Sequence, residues 1–149
     1  MHQHILVPTD GSETAQRGVD YALALARDLG AKVTVLTITD PYPRAGMIVG
    51  ASWRRSEEEA NEFNRRQKET ADKVLNKVKA DAVKIGVDIA LVHVSEVRPA
   101  DAILQTAKAR GAHLIVIGSH GRRGVNKLLL GSQTAEVLAR AAIPVLVVK

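Results

Sequence analysis

Cysteine is absent from the 149-residue sequence. That absence excludes a disulfide framework, a thiolate metal site and a cysteine nucleophile, and it fits a cytoplasmic setting. Aromatic residues are scarce too: Tyr21, Tyr42, Trp53 and Phe63 are the only four. So few rings leave little on which bases could stack, which argues against a nucleic-acid partner despite the net charge of +5. The positive charge forms no long run. Short clusters stand at Arg54-Arg55, at Arg65-Arg66 with Lys68, and at Arg122-Arg123 with Lys127. The first two read as solvated surface charge. No apolar stretch approaches the ~18 residues of a membrane span, so no membrane association is expected. The opening Met1 to Val7 lacks the basic-then-apolar pattern of a secretory leader and reads directly into a strand. Internal repeats, low-complexity tracts and linkers are missing as well. The expectation is a single domain over residues 1–149.

What is present is an alternation of strand and helix patterns. Hydrophobic residues make up 46% of the chain, enough for one sizeable core, and charged residues 25%, an ordinary share for a soluble globular protein. Ile5-Leu6-Val7 is a continuous apolar run, as a strand buried on both faces requires. Residues 13–29 carry apolar side chains at helical spacing, and Gly30 ends that helix. Val33 to Ile38 is a β-branched strand. Asp40 to Ser56 holds Pro41, Pro43, Gly46 and Gly50 and reads as a long loop. A helix is expected over 57–85, with Glu57-Glu58-Glu59 at its positive dipole end. Val87 to Val94 and Leu114 to Ile117 are further strands, separated by a helix that Pro99 opens and Gly111 closes. A last helix ends near Arg140, and Pro144 to Val148 is a fifth strand. Five apolar strands alternating with four helices specify an α/β fold with an open parallel sheet covered on both faces. The fifth strand is very apolar and reads as an edge, so pairing with a second copy is one way to cover it.

Open sheets of this kind bind ligands beyond the carboxyl ends of the strands, where the strand order reverses. Two strand ends stand out: Pro8-Thr9-Asp10-Gly11-Ser12 after strand one, and the glycine-rich Gly118-Ser119-His120-Gly121-Arg122-Arg123-Gly124 after strand four. One ligand can touch both only if strands one and four are neighbours, which gives the order 3-2-1-4-5. Glycines in such loops let successive N–H groups cradle an anion. If a helix starts near Ser132, its free N–H groups and positive dipole end face the same crevice, and the Ser132 and Thr134 hydroxyls add donors. The apolar positions from Val125 to Ala139 equally fit one uninterrupted helix, and periodicity does not separate the two. The sequence has no phosphate-binding loop ending in Gly-Lys-Ser/Thr, no G-x-G-x-x-G after strand one, and no G-x-S-x-G elbow around Ser119.

Gly118-x-x-Gly121, nine residues, then Gly131-Ser132 resembles the nucleotide-binding signature of the ATP-binding universal stress proteins. The opening Ile5 to Glu13 and the ending Ile143 to Val148 are similar to the family's ends, so the resemblance covers essentially the whole chain. It implies an adenine nucleotide alpha-hydrolase-like sheet, ATP in the crevice and a homodimer joined through the last strand. It also implies that Pro8, Thr9 and Asp10 line the adenosine side. Ile38 then meets adenine through its main chain, and Gly118, His120, Gly121, Gly131, Ser132, Gln133 and Thr134 serve the ribose and phosphates. Two departures stand outside these loops: His113 where Asp is common, and Glu96-Val97-Arg98-Pro99 without the usual glycine.

Individual residues carry two readings each. Asp10 suits a ribose hydroxyl or a water on Mg²⁺, and equally an Asx-turn before Ser12. His120 is a donor to phosphate or ribose, or a surface loop histidine. Arg122, Arg123 and Lys127 screen a triphosphate or are solvated. His2 and His4 share a strand face without a third ligand, and His93 reads as a strand residue with a satisfied nitrogen. The leading expectation is a nucleotide-binding regulator in the cytoplasm, because the phosphate cradle comes without an obvious base or nucleophile. The alternatives are a slow Mg²⁺-dependent ATPase or phosphoryl-transfer enzyme using Asp10, His120 and Arg122, and a partner-binding scaffold built on the 40–56 loop with Trp53.

Overall fold

The computed structural model describes residues 3–40, 51–120 and 130–149, with side chains throughout these except at 51–56. Among them the elements run β1 (His4–Pro8), α1 (Glu13–Leu29), β2 (Lys32–Thr39), α2 (Ala51–Ile85), β3 (Ile89–Ser95), α3 (Pro99–Arg110), β4 (Leu114–Gly118), α4 (Ser132–Arg140) and β5 (Val145–Val148). All pairings are parallel, and the sheet order is β3-β2-β1-β4-β5. The order that the two-motif argument demands is therefore the observed one. The strand order reverses between β1 and β4, and the loops after those strands diverge there.

Local chemistry explains most boundaries. Ser12 caps α1 by accepting a hydrogen bond from the Ala15 N–H at 3.3 Å, and Gly30 ends the helix in the left-handed region at φ 64°. Pro99 opens α3 at a position whose N–H would lack a partner anyway, and Gly111 ends it at φ 64°. Glu96, where the family pattern has glycine nearby, takes φ 62°. A left-handed non-glycine residue costs roughly 1–2 kcal/mol, so the departure noted in the sequence leaves a strained corner after β3.

Two boundaries differ from the sequence expectation. The long helix begins at Ala51, six residues before Glu57. Every proline and glycine of the 40–56 stretch lies at or before Gly50, and nothing from Ala51 onward interrupts a helix. Glu57-Glu58-Glu59 thus sit inside α2, and its first turn holds no acidic residue. The dipole argument does not apply to them. Residues 41–50, and the side chain of Trp53, lie outside the described residues. The second boundary settles an open question: α4 starts at Ser132, because Gly131 has ψ 145° and is its non-helical cap.

Helices cover both faces of the sheet. On one face Ile5, Val7, Val33 and Val35 meet Val19 and Leu23 of α1 and Leu75, Val78 and Ala82 of α2. On the other, Leu6, Leu36, Ile115 and Ile117 meet Ala100, Ile103 and Ala107 of α3 and Val137 of α4. Adjacent residues of β1 point to opposite cores, so its run Ile5-Leu6-Val7 must be apolar throughout, whereas the buried threonines of β2 need hydroxyl partners. Burying each such Leu or Ile contributes about 1.5–3 kcal/mol. The β5 strand pairs only with β4 and is half-buried along its length.

Two glycines set how closely α1 lies on β4. A Cβ at Gly118 would stand 3.0 Å from the Thr14 carbonyl oxygen and 3.2 Å from its carbon, and one at Gly18 would stand 3.3 Å from the Gly118 nitrogen. On the opposite face, α3 and α4 are tied by charge. Arg98 meets Glu136 at 2.7 Å, and Arg140 meets Asp101 at 2.7 Å and Glu136 at 2.9 Å. The hydrogen bond from the Arg140 guanidinium holds the Asp101 carboxyl below the usual carboxylate range, against the opposing effect of desolvation.

Two outcomes follow from this packing. Gly118→Ala should destabilise the fold by about 1–3 kcal/mol in urea unfolding, because backbone cannot yield as a flexible side chain would. An unchanged midpoint would mean that α1 shifts without penalty. The Asp101 pairing contributes fully above the ordinary carboxylate value and is lost as pH falls through the lower folded-state value. The gap in melting temperature between the parent and Asp101→Asn should therefore be open at pH 7 and close in the acid range below about pH 4.

Candidate functional site

The carboxyl ends of β1, β2 and β4 open into a cavity of about 440 Å³. Its floor is the turn after β1. The Thr9 N–H prolongs the β1–β2 ladder to the Leu36 carbonyl at 2.8 Å, and the Thr37 hydroxyl donates to the Thr9 carbonyl at 3.0 Å. The Gly11 N–H then donates to the Thr9 hydroxyl, and the Ser12 N–H to Asp10 Oδ1 at 2.9 Å. This is an Asx-turn. It fixes the Asp10 carboxylate at the cavity wall by one oxygen.

The opposite wall is made by bringing residues 118–120 against 131–134. The Gly131 N–H donates to the Ser119 carbonyl at 2.8 Å, and the Thr134 hydroxyl donates to the Gly118 carbonyl at 2.9 Å. A Cβ on Gly131 would lie 3.0 Å from that Ser119 oxygen, so only glycine closes the contact without displacement. The Ser119 N–H donates to the Val148 carbonyl, which ties this wall to β5. The capping residue of α4, Gly131, has no side chain to offer, and among the described residues none caps the start of this helix. Its first N–H groups and the positive end of its dipole are therefore presented beside Gly131, Ser132, Gln133 and Thr134, all on the cavity wall.

Ten of the twelve residues singled out in the sequence line this cavity: Pro8, Thr9, Asp10, Ile38, Gly118, His120, Gly131, Ser132, Gln133 and Thr134. Gly121 and Arg122 fall outside the described residues, as do Arg123 and Lys127. The ten differ in what they do. Gly118 and Gly131 admit neighbouring backbone. Thr134 is buried and gives its one hydroxyl proton to Gly118, which leaves Ser132 as the exposed hydroxyl at the start of α4. Gln133 accepts the Ala100 N–H through Oε1 at 3.0 Å. His120 Nδ1 lies 2.9 Å from the Ser119 hydroxyl, and its Nε2 is buried without a partner among the described residues. A buried unpaired imidazole nitrogen is costly unless something supplies its hydrogen bond.

Sequence reasoning missed the third wall. Gln67, Thr70, Ala71 and Val74 of α2 line the cavity, as do Thr37, Thr39 and Asp40 at the end of β2. The α2 set has the spacing i, i+3, i+4, i+7, one helix face, and that was the available signal. Thr39 is oriented by His93, whose Nε2 lies 2.8 Å from its hydroxyl. His93 is thus the satisfied strand histidine its position suggested. His4 Nε2 pairs with the Thr34 hydroxyl at 2.7 Å, and burial lowers the pKa of its imidazole. Among the described residues no three His, Asp or Glu side chains gather as a metal site, and no helix is long and apolar enough to cross a membrane.

The arrangement offers an anion-attracting helix end, a row of hydroxyl and amide groups, and an apolar wall that includes Ile103, Ile117 and Val74. The chain matches the model of the universal stress protein family over residues 1–149. It is 34% identical to Universal stress protein MJ0531 of Methanocaldococcus jannaschii, over all of this chain and 83% of that one. It is 36% identical to a universal stress protein of Thermus aquaticus over the whole of both chains. Among solved structures it superposes on that of protein MJ0577 with TM-score 0.82 and 29% identity, covering 100% and 96% of the two chains. A universal stress protein solved in complex with cAMP gives TM-score 0.68 at 28% identity, covering 99% and 96%. From sheet order, site and kinship together, this chain belongs to the universal stress protein family.

Proposed function

We propose that this chain binds an adenine nucleotide, ATP with Mg²⁺, in the cavity between β1 and β4, and acts as a nucleotide-dependent regulator of the stress response in the cytoplasm. The observation that carries the reading is the meeting of the Asp10 turn with the uncapped start of α4 across one cavity. Anions favour such a helix end, because its free N–H groups and dipole act together. The phosphates then lie at Ser132 and Gln133; the resemblance also assigns Gly121 to the phosphate side, and Arg122 is the cation proposed to screen the charge. Ribose lies beside Asp10 and His120. The base lies toward Ile38 and the apolar face of α2. The relative solved with cAMP supports an adenine nucleotide as the ligand class.

Mg²⁺ prefers few carboxylates together with phosphate oxygens and water. Asp10 and Asp40, both on the wall, fit that requirement. The metal supplies neutralisation of phosphate charge. The protein's part is to hold Asp10 in place through its bond to Ser12. The half-buried edge strand β5 fits pairing with a second copy, and the homodimer is part of this proposal.

Calorimetric titration with MgATP should give saturable binding with Kd at or below about 1 mM. Thr70 is exposed at the cavity rim, so Thr70→Trp should leave the ligand-free melting temperature nearly unchanged while its indole occupies the space of the base. Binding should then fall by at least about an order of magnitude. Absence of saturable binding by the parent chain at millimolar MgATP would reject the reading.

A further inference from the structure

The amide of Gln133 has a fixed orientation. Its Oε1 accepts the Ala100 N–H at 3.0 Å. Ala100 lies in the first turn of α3, and the residue capping that helix, Arg98, makes no side-chain cap hydrogen bond. Gln133 therefore does for α3 what a capping side chain normally does, from a different helix. An amide has one acceptor atom and one donor atom, and ordinarily they can exchange places. Here a backbone N–H demands the oxygen, so the exchange is blocked. The NH₂ group becomes the free end of the side chain, with no protein partner recorded among the described residues. Gln133 is half-buried and lies on the cavity wall, second in α4 after Ser132.

We infer that Gln133 is a specificity-determining residue: α3 orients its amide so that only N–H groups face the ligand, which selects ligands carrying acceptor oxygens, namely phosphoryl groups, at the start of α4. The inference rests on the proposed nucleotide reading and adds an oriented amide to a place where the described residues otherwise offer backbone N–H groups and the Ser132 hydroxyl. A hydrogen bond to an ionised oxygen is worth more than one between neutral groups, so the donor favours a nucleotide over its nucleoside. The same side chain stiffens α3, and the two roles separate by substitution. Glu at this position still accepts the Ala100 N–H but, ionised at pH 8, has no donor. Leu can do neither.

The test compares the parent chain with Gln133→Glu and Gln133→Leu, each titrated with MgATP and with adenosine at pH 8. Melting temperatures without ligand are measured alongside. The expected pattern has three parts. Gln133→Leu melts lower, and Gln133→Glu melts within ~2 °C of the parent. Both variants lose roughly tenfold or more in MgATP affinity. Adenosine affinity stays within about twofold in Gln133→Glu, because the missing donor faces phosphate. Parent-like MgATP affinity in either variant would overturn the inference while leaving the nucleotide reading intact. So would an MgATP loss confined to the variant that melts lower, or an equal loss for adenosine and MgATP, since each is what a purely structural residue gives. If the parent chain itself takes up no nucleotide, the broader reading fails and this inference fails with it.

Discussion

The cavity depends on one short contact between backbones. The Gly131 N–H meets the Ser119 carbonyl at 2.8 Å, and a single added carbon on Gly131 would sit 3.0 Å from the same oxygen. This contact brings the start of α4, at Ser132, beside the end of β4, at Gly118, fourteen positions earlier in the chain. Without it the helix end and its free N–H groups would have no reason to face the Asp10 turn. Thr134 reinforces the contact from one turn further on, by donating to Gly118. Gly118 in turn has no Cβ because α1 occupies that space. A run of three steric and hydrogen-bonding constraints thus leads from the first helix of the chain to the ligand wall.

This changes what the glycine pattern means. Glycines in a binding loop are usually credited with letting a ligand approach. At Gly118 and Gly131 the close neighbours are the protein's own carbonyl oxygens. Their requirement is architectural: Gly118 lets α1 pack closely on β4, and Gly131 lets the start of α4 hydrogen-bond to the residue after β4. On this wall, among the described residues, the groups left to meet a ligand are the helix N–H groups, Ser132, the His120 imidazole and the Gln133 amide.

Much of this was legible in the sequence, for identifiable reasons. The continuous apolar runs at Ile5 to Val7 and Leu114 to Ile117 announce strands buried on both faces, and the requirement that Asp10 and Gly131 serve one ligand dictates the sheet order. The start of α4 was not legible, because Val125, Leu128, Leu129, Ser132 and Ala135 suit a continuous helix as well. The choice was made by the backbone contact at Gly131, a tertiary effect. The α2 wall was missed for a related reason. Residues Gln67, Thr70 and Val74 show a face, but nothing local says which side of the sheet that face meets. The early start of α2 was missed because four helix breakers before Ala51 drew the loop boundary too far along the chain. The duty of Gln133 toward α3 joins residues 33 positions apart, and no spacing rule reaches that far.

The hydrogen bond from the Ser119 N–H to the Val148 carbonyl has a reach beyond sheet closure. It fastens the loop that walls the cavity to the outermost strand, whose far side has no strand beside it among the described residues. Edge and pocket are then two ends of one short mechanical linkage. The Val148 carbonyl is turned inward to Ser119, so the seating of the outermost strand on β4 and the position of the cavity wall are set by one and the same bond.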